Sequence, residues 1–299
     1  MLRGATPVFV DIRSDTLNID EVQIEAAITP RTKAIVPVHY AGVACEMDAI
    51  AAIAEEHHLF VVEDAAQGLM SRYKDKPLGT IGNLGALSFH ETKNIISGEG
   101  GALLIRDPDL GARAEIIREK GTNRSEFFRG DTDKYTWVGE GSSYLPSEIV
   151  AAFLAAQMDD AEAITARRKA IWDTYHQALE AIEHDEFARR PVVPGHCSHN
   201  AHMYYLLLPS REERDSFIRL LKDVGVHAVF HYVPLHSSPM GLRVGRVNGG
   251  MKNTDELSGR LVRLPLWLGL EDHMAGVVQR VIDCIHQARR PSRIVRGQR

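Results

Sequence analysis

The stretch Ala86-Leu87-Ser88-Phe89-His90-Glu91-Thr92-Lys93-Asn94-Ile95-Ile96-Ser97-Gly98-Glu99-Gly100-Gly101 decides how the rest of the chain reads. An apolar run enters a polar turn carrying one lysine. A glycine cluster follows, and a second apolar run, Ala102-Leu103-Leu104-Ile105, leaves it. Strand, turn and glycine-permitted return hold Lys93 at the edge of a sheet. A lysine amine kept from water has a lowered pKa and becomes nucleophilic. Alone, Lys93 reads as a solvated loop residue; an acidic partner upstream changes that.

Toward the N-terminus, residues 59–64 read as a strand of core character ending in Asp64. A helix over 46–57 and a strand over 33–39 precede it. Asp20 is placed to cap a short helix running to residue 28, and 7–12 reads as a buried strand. Strands alternating with helices predict a parallel α/β sheet. Right-handed crossovers put the C-terminal strand ends on one edge, where ligands bind, so Tyr40 and Asp64 are expected there.

Downstream, residues 73–79 read as a surface turn, and Asp107-Pro108-Asp109 opens a helix to about residue 120. Residues 121–143 form a long loop without a period, and such loops usually carry function. From Pro146 and Ser147 the spacing of Ala151, Leu154, Ala155, Met158 and Ala161 is helical. It continues to about residue 182, which predicts one long helix joining two domains. After a break at 191–195 come a strand over 202–208, a helix over 211–223, a strand over 226–231, a helix near 254–261 and a last helix over 273–288. These suggest a smaller α+β domain. The predicted organisation is a large domain over 1–146, a connecting long helix over 147–185, a small domain over 186–288 and a basic tail over 289–299. The tail carries Arg289, Arg290, Arg293, Arg296 and Arg299 and reads as a solvated end.

Composition narrows the function. The chain has 299 residues, 44% of them hydrophobic, enough for a substantial core. Its 35 basic and 40 acidic residues leave a net charge of -5, which argues against nucleic acid as a partner. Cys45, Cys197 and Cys284 lie far apart, as suits a reducing cytoplasm. No apolar run reaches membrane-spanning length, and Met1-Leu2-Arg3-Gly4 does not begin a signal peptide. A soluble cytoplasmic protein is expected.

A carboxylate at the end of a core strand is costly unless it meets a cation or a strong donor. Asp64 by itself reads as a helix cap. Asp64 with Lys93 is more specific. An aldehyde cofactor bound through a lysine needs a carboxylate to keep its ring nitrogen protonated, which is the requirement of pyridoxal 5′-phosphate. Asp64 could supply that charge, Gln67 a hydrogen bond to the ring hydroxyl, Lys93 the covalent link and Ser88 a phosphate contact.

Three motifs together, Val61-Val62-Glu63-Asp64-Ala65-Ala66-Gln67-Gly68, Ser88-Phe89-His90-Glu91-Thr92-Lys93-Asn94 and Gly98-Glu99-Gly100-Gly101, resemble the DegT/DnrJ/EryC1/StrS family of sugar aminotransferases. The resemblance runs from about residue 2 to about residue 288. It implies pyridoxal 5′-phosphate as cofactor and the PLP-transferase fold of type I: an α/β, mostly parallel sheet with a smaller C-terminal α+β domain. It implies Lys93 as the Schiff-base lysine, Asp64 as the partner of the ring nitrogen, Gln67 near the ring hydroxyl and Ser88 at the phosphate. Ser143 falls where many relatives have an asparagine that reaches the phosphate of a partner subunit, which implies a homodimer with shared active sites.

Further segments, Arg118 to Ser125, Tyr135-Thr136-Trp137, Gly141 to Leu145, Asn200-Ala201-His202-Met203 and Phe230 to His236, resemble one branch of the family. That branch aminates C4 of a dTDP-4-keto-6-deoxy sugar with glutamate, giving dTDP-4-amino-4,6-dideoxygalactose for cell-surface polysaccharides. His90, His231 and His236 lie in motifs that sit near the sugar in relatives. Some relatives carry histidine at the lysine position and dehydrate their substrate; Lys93 here implies transamination.

The family's N-terminal segment, whose Ser/Thr-rich turn and helix N-terminus cradle the phosphate, precedes the point matching Met1 here. The sheet is therefore expected to be incomplete at its N-terminus, with apolar surface uncovered. A working aminotransferase, or a truncated and catalytically silent homologue that binds a nucleotide sugar or an intact partner subunit, follows from this. Three other features are weighed. His196, Cys197, His199 and His202 match no usual metal spacing, so no metal is expected. Gly98-Glu99-Gly100-Gly101 lacks the ending of a nucleotide-phosphate loop and leads into a strand. Arg118, Lys120, Arg124 and Arg129 either contact a nucleotide diphosphate or face solvent.

Overall fold

The structure, a computed structural model, describes residues 2–289. The predicted basic tail beyond Arg289 lies outside the described residues. No helix among the described residues is long and apolar enough to cross a membrane.

The first strand, β1 (Val8–Phe9), is shorter than expected and pairs in parallel with Arg246 and Val247 from the far end of the chain. Asp11 explains why 7–12 does not extend as a core strand. Its buried carboxylate accepts hydrogen bonds from the Asn253 and Thr254 N–H groups and from the Thr254 hydroxyl, at 2.7–2.9 Å. The segment is thereby anchored to the C-terminal half. Asp20 caps the next turn by accepting from the Val22 N–H, and that turn runs into α1 (Ile24–Ala27).

The main sheet follows, from β2 (Ala34–Ile35), α2 (Met47–Glu56) and β3 (Phe60–Asp64). A surface hairpin, β4 (Arg72–Tyr73) and β5 (Lys76–Pro77), precedes β6 (Leu84–Ser88) and β7 (Gly101–Ile105). The sheet order is β2-β3-β6-β7, with β2, β3 and β6 parallel and β7 antiparallel to β6. Met47, Ile50 and Ala54 of α2 pack on Ile35 and Val61. Val36, Val38 and Phe60 remain exposed. Register places Asp64 opposite Ala86 and Ser88 opposite Gly101, so the ends of β3 and β6 and the turn carrying Lys93 share one edge.

Alternation along β3 sends Glu63 the other way, into full burial. Its carboxylate accepts from the Gly79, Ile81 and Gly82 N–H groups at 2.6–2.8 Å. It also meets His39 Nε2 at 2.9 Å. The Cys45 N–H donates to His39 Nδ1, so Nε2 carries the proton shared with Glu63. Burial pulls the Glu63 carboxyl upward, but the bonds from His39 and from the Gly82 and Gly79 backbones pull harder, so it lies below the ordinary glutamate range. A depressed carboxyl stabilises the fold above its unfolded pKa, near 4.3, and that contribution is lost as pH falls through the folded value. Glu63→Ala orphans three backbone donors and should cost about 3–5 kcal/mol in urea unfolding at neutral pH. The gap between variant and wild type should narrow on acidification; a gap that widens would refute this account.

After β7, Asp107 caps α3 (Pro108–Arg118). The predicted loop that follows contains a helix, α4 (Arg124–Arg129), ended by Gly130 at positive φ. The single long helix expected from Pro146 onward is instead three: α5 (Glu148–Asp159), α6 (Ala161–Ala178) and α7 (Glu180–His184). The first break falls at Asp159-Asp160, two poor helix formers in succession, with Asp160 at φ -99° and ψ 8°. It separates two environments: α5 has no buried residue, whereas α6 buries Ile164, Arg168, Ile171, Trp172 and Tyr175.

The remaining elements are β8 (Cys197–Ser198), which pairs with β4, then β9 (Tyr204–Leu207), α8 (Arg211–Asp223) and β10 (Val229–Phe230). Next come α9 (Pro239–Val244), β11 (Arg246–Val247), α10 (Lys252–Arg260), β12 (Leu261–Leu264) and α11 (Met274–Ala288). Strands β10, β12 and β9 form an antiparallel sheet with β12 in the middle. The central strand escapes the sequence reading because Arg260 ends one helix and Leu261 starts the strand with no turn residue between. Val262 and Leu264 point into a core with Phe217, Leu221, Val281 and Ile285. Leu261 points to the other face, with Tyr205 and Tyr40. The architecture is therefore α/β, a mostly parallel sheet beside a smaller sheet-and-helix unit.

Candidate active site

Lys93 sits in the β6–β7 turn, its N–H bonded to the His90 carbonyl at 2.9 Å, and its side chain is partly buried. Burial pushes its pKa below the ordinary lysine range. Asp64 opposes this and the Arg263 cation adds to it. An amine so placed carries less charge at neutral pH than a surface lysine. It lines a pocket with Ala66, Gln67, Ser88, Asn94, Asn200 and His202 among others.

Asp64 stands at the end of β3, with Oδ1 accepting from the Ala66 N–H at 3.1 Å. Gln67 Oε1 accepts from the Ala41 N–H at 2.7 Å, so its amide nitrogen is the end left for a ligand. The Ser88 hydroxyl meets only the His90 N–H, at 3.4 Å, and keeps donor capacity. Register sets Asp64 and Ser88 at one sheet edge, and Gln67 and Lys93 lie in the turns that follow those strands.

Ser143 is not among them. It lies in an exposed stretch and bridges to Glu119. His90 Nδ1 bonds Thr92 at 2.9 Å, with Nε2 toward Glu99, and His236 Nε2 is paired with Asp255 at 3.0 Å. His231 is the one of the three whose proton affinity the Lys93 charge lowers. Its ring meets Tyr40 edge-on at 5.2 Å, and burial, then Arg263 and Lys93, push its pKa down to about 4. The basic loop divides likewise: Arg118 pairs with Glu119, Arg129 with Glu115 and Asp131, and Arg124 lies over the Phe128 ring. His196, His199 and His202 go separate ways, to Glu46, Trp172 and Asn94 respectively.

Asn94, Asn200 and His202 tie the pocket together, a role that the sequence motifs containing them did not reveal. The Asn94 amide nitrogen donates to the Asn200 carbonyl at 2.8 Å, and its oxygen accepts from His202 Nδ1 at 3.2 Å. The Asn200 side chain donates to the Gln67 and Leu69 carbonyls. Both turns of the sheet edge are thereby laced to the segment entering β9. Arg168, buried in α6, donates to the Ala201 and His202 carbonyls and holds that segment from behind. Gly42, at φ +79°, lets Asn200 in, since a Cβ there would sit 2.1 Å from Asn200 Oδ1. Burial, then Lys93 and Arg168, keep His202 well below the usual histidine range. With its Nδ1 proton on Asn94, it presents a bare Nε2.

The residues fit the expected cofactor. A carboxylate and a part-buried lysine share a strand-end edge, a hydroxyl and a free amide end line the same recess, and Asn200 Oδ1 is buried without a partner. These are the donors and acceptors that a ring nitrogen, an aldehyde, a ring hydroxyl and a phosphate require.

The family model described as the DegT/DnrJ/EryC1/StrS aminotransferase family matches residues 1–286. The uncharacterized protein MJ1066 of Methanocaldococcus jannaschii is 37% identical over 276 residues, 90% of this chain and 70% of that one. The spore coat polysaccharide biosynthesis protein SpsC of Bacillus subtilis is 34% identical over 294 residues, 95% of this chain and 75% of that one. Among solved structures, the aminotransferase TlmJ of Streptoalloteichus hindustanus superposes with a TM-score of 0.84 at 28% identity, covering 96% of this chain and 74% of that one.

Proposed function

We propose that this chain, which belongs to the DegT/DnrJ/EryC1/StrS aminotransferase family, moves an amino group from glutamate to C4 of a dTDP-4-keto-6-deoxy sugar. Its cofactor is pyridoxal 5′-phosphate, which when bound supplies an electron sink for the carbon that loses its proton. The observation that carries the reading is the part-buried Lys93 facing Asp64 across one sheet edge.

In this reading Lys93 is the residue that would hold the cofactor covalently, and its Nζ would take the proton from the donor's Cα and deliver one to C4 of the sugar. A group that must both take and give a proton works best with a pKa near the working pH, and the burial of Lys93 moves it that way. Asp64 would keep the ring nitrogen protonated, the Gln67 amide nitrogen would serve the ring hydroxyl, and Ser88 would donate to the phosphate. His231, whose pKa the Lys93 charge lowers, would be the sugar-side histidine; His90 and His236 would have to leave Thr92 and Asp255 to join it.

Ser143 reaches a phosphate in this reading only across a homodimer with shared sites. Ile149, Phe153, Trp137 and Tyr144 support that assembly, since all are exposed on or before α5. Sedimentation at the mass of one chain would count against the dimer. Three free cysteines fit a reducing cytoplasm, where cell fractionation should find the protein.

The test is direct. The protein, loaded with pyridoxal 5′-phosphate, is given glutamate and dTDP-4-keto-6-deoxyglucose, and both products are followed by mass spectrometry. One 2-oxoglutarate should appear per dTDP-4-amino-4,6-dideoxygalactose. Release of 2-oxoglutarate without the amino sugar would leave an aminotransferase with another acceptor.

A further inference from the structure

His202 lies in the Lys93 recess, yet the chemistry above gives it no task. It is buried just ahead of the fully buried strand β9 and lines the recess together with Lys93. From behind, Arg168 Nη2 donates to its carbonyl at 2.8 Å and to the Ala201 carbonyl at 3.1 Å. In front, its Nδ1 meets Asn94 Oδ1 at 3.2 Å, while the Asn94 amide nitrogen is committed to the Asn200 carbonyl at 2.8 Å. The second of those Asn94 bonds decides the first. An amide whose nitrogen serves a carbonyl turns its oxygen to the imidazole, and that oxygen can only accept, so the ring proton is on Nδ1. Nε2 keeps its lone pair.

A second proton on this ring is opposed from every side. Burial disfavours the imidazolium most, followed by Lys93 in its turn and Arg168 on α6. Arg263, on the face of β12 opposite Val262 and Leu264, and His231, just past β10, act in the same direction. His202 is therefore a neutral acceptor in a recess whose other charged neighbours are cations. Lys93 needs such an acceptor. With the donor's Cα proton on Nζ, it would be an ammonium in a part-buried recess, which is costly without a partner. Asp64 would be taken by the ring nitrogen. Asn94 has spent both ends of its amide, and Asn200 Oδ1 is packed against Gly42.

We infer that His202 is a positioning residue for Lys93: its bare Nε2 accepts a hydrogen bond from the lysine Nζ while that amine carries the substrate proton, and Asn94 enforces the tautomer this requires. The inference rests on the aminotransferase reading above. The proton stays on Nζ, so no bond to hydrogen breaks at His202. The contact aims the ammonium and holds it until delivery. The opposite tautomer would set a donor against a donor.

The first readout needs neither cofactor nor turnover. In protein isotope-labelled at the histidine nitrogens, nuclear magnetic resonance at neutral pH should show His202 uncharged with its proton on Nδ1, the signal being assigned by its loss in His202→Gln. A proton on Nε2, or an imidazolium, would overturn the inference. The second readout compares His202→Asn and His202→Gln, loaded with pyridoxal 5′-phosphate, in the glutamate half-reaction. An asparagine amide can donate to Asn94 as Nδ1 does but places nothing at Nε2, whereas a glutamine carbonyl reaches the Nε2 position. His202→Asn should slow the half-reaction roughly 10- to 100-fold, the worth of one hydrogen bond to a charged group, and His202→Gln should recover most of that loss. Glutamate deuterated at Cα should be slowed more in His202→Asn than in wild type, because proton transfer then limits the rate. Equal rates in the two variants, or the reverse order, would make His202 a lacing residue only and overturn the inference. If wild type releases no 2-oxoglutarate, the aminotransferase reading fails, and the nitrogen spectrum still tells whether His202 offers an acceptor.

Discussion

Replacing Lys93 by alanine should abolish amino transfer, lowering the glutamate half-reaction by roughly 10⁴-fold or more, because covalent link and proton carrier go together. The visible absorbance of the lysine-bound cofactor should vanish as well, although the pocket keeps Asp64, Gln67 and Ser88 and can still hold the cofactor without a bond. Fold stability should hardly change. Lys93 is only partly buried, its backbone bond to His90 stays, and the turn is secured by Asn94 rather than by the lysine amine. Stopped-flow absorbance with glutamate, beside a urea unfolding curve, separates the two outcomes. A variant that still converts glutamate at near wild-type rate would sink the catalytic assignment. One that unfolds instead would make Lys93 a structural residue.

Asp64→Asn comes second in expected effect. The side chain keeps its shape and an oxygen for the Ala66 N–H, so the turn after β3 should survive. What disappears is the negative charge that keeps the bound ring's nitrogen protonated, and with it the sink for the developing carbanion. Losing one preorganised electrostatic contact of this kind costs on the order of 10²–10³-fold in turnover. The charge also attracts the Lys93 proton. Its removal should therefore shift Lys93 further toward the neutral amine, and activity that depends on that amine being unprotonated should extend to lower pH. A turnover loss with the pH profile moved to the acid side is the expected pair of observations. A loss with an unmoved profile would mean that Asp64 does not act on Lys93.

Chain order made much of this edge legible. Asp64 closes a run of core residues, Lys93 lies in a turn between two apolar runs, and the glycines after it mark the return. Those are local signals, because strand period and turn composition are written within about ten residues. The antiparallel partner of β6, the Asp20 and Asp107 caps and the bounds of α8 follow from the same kind of signal. Helix continuity was harder to read: the apolar spacing from Ala151 to Tyr175 persists through Asp160, yet the chain turns there. Periodicity reports which positions are apolar, not whether successive turns share one axis.

By itself, then, the sequence determined the α/β class, the strand-end carboxylate and the turn lysine, since neighbours along the chain suffice to define them. Only the tertiary structure decided what surrounds that lysine. Asn200 reaches Gln67 across 133 residues, and His202 reaches Asn94 across 108. Arg263 faces Lys93 because β12 pairs with β9 in one register and not in the alternative that would flip every side chain to the opposite face. The same lysine on an exposed turn would remain an ordinary cation. Burial, Asp64 and Arg263 set its proton affinity, and all three come from elements that meet only when the chain is folded.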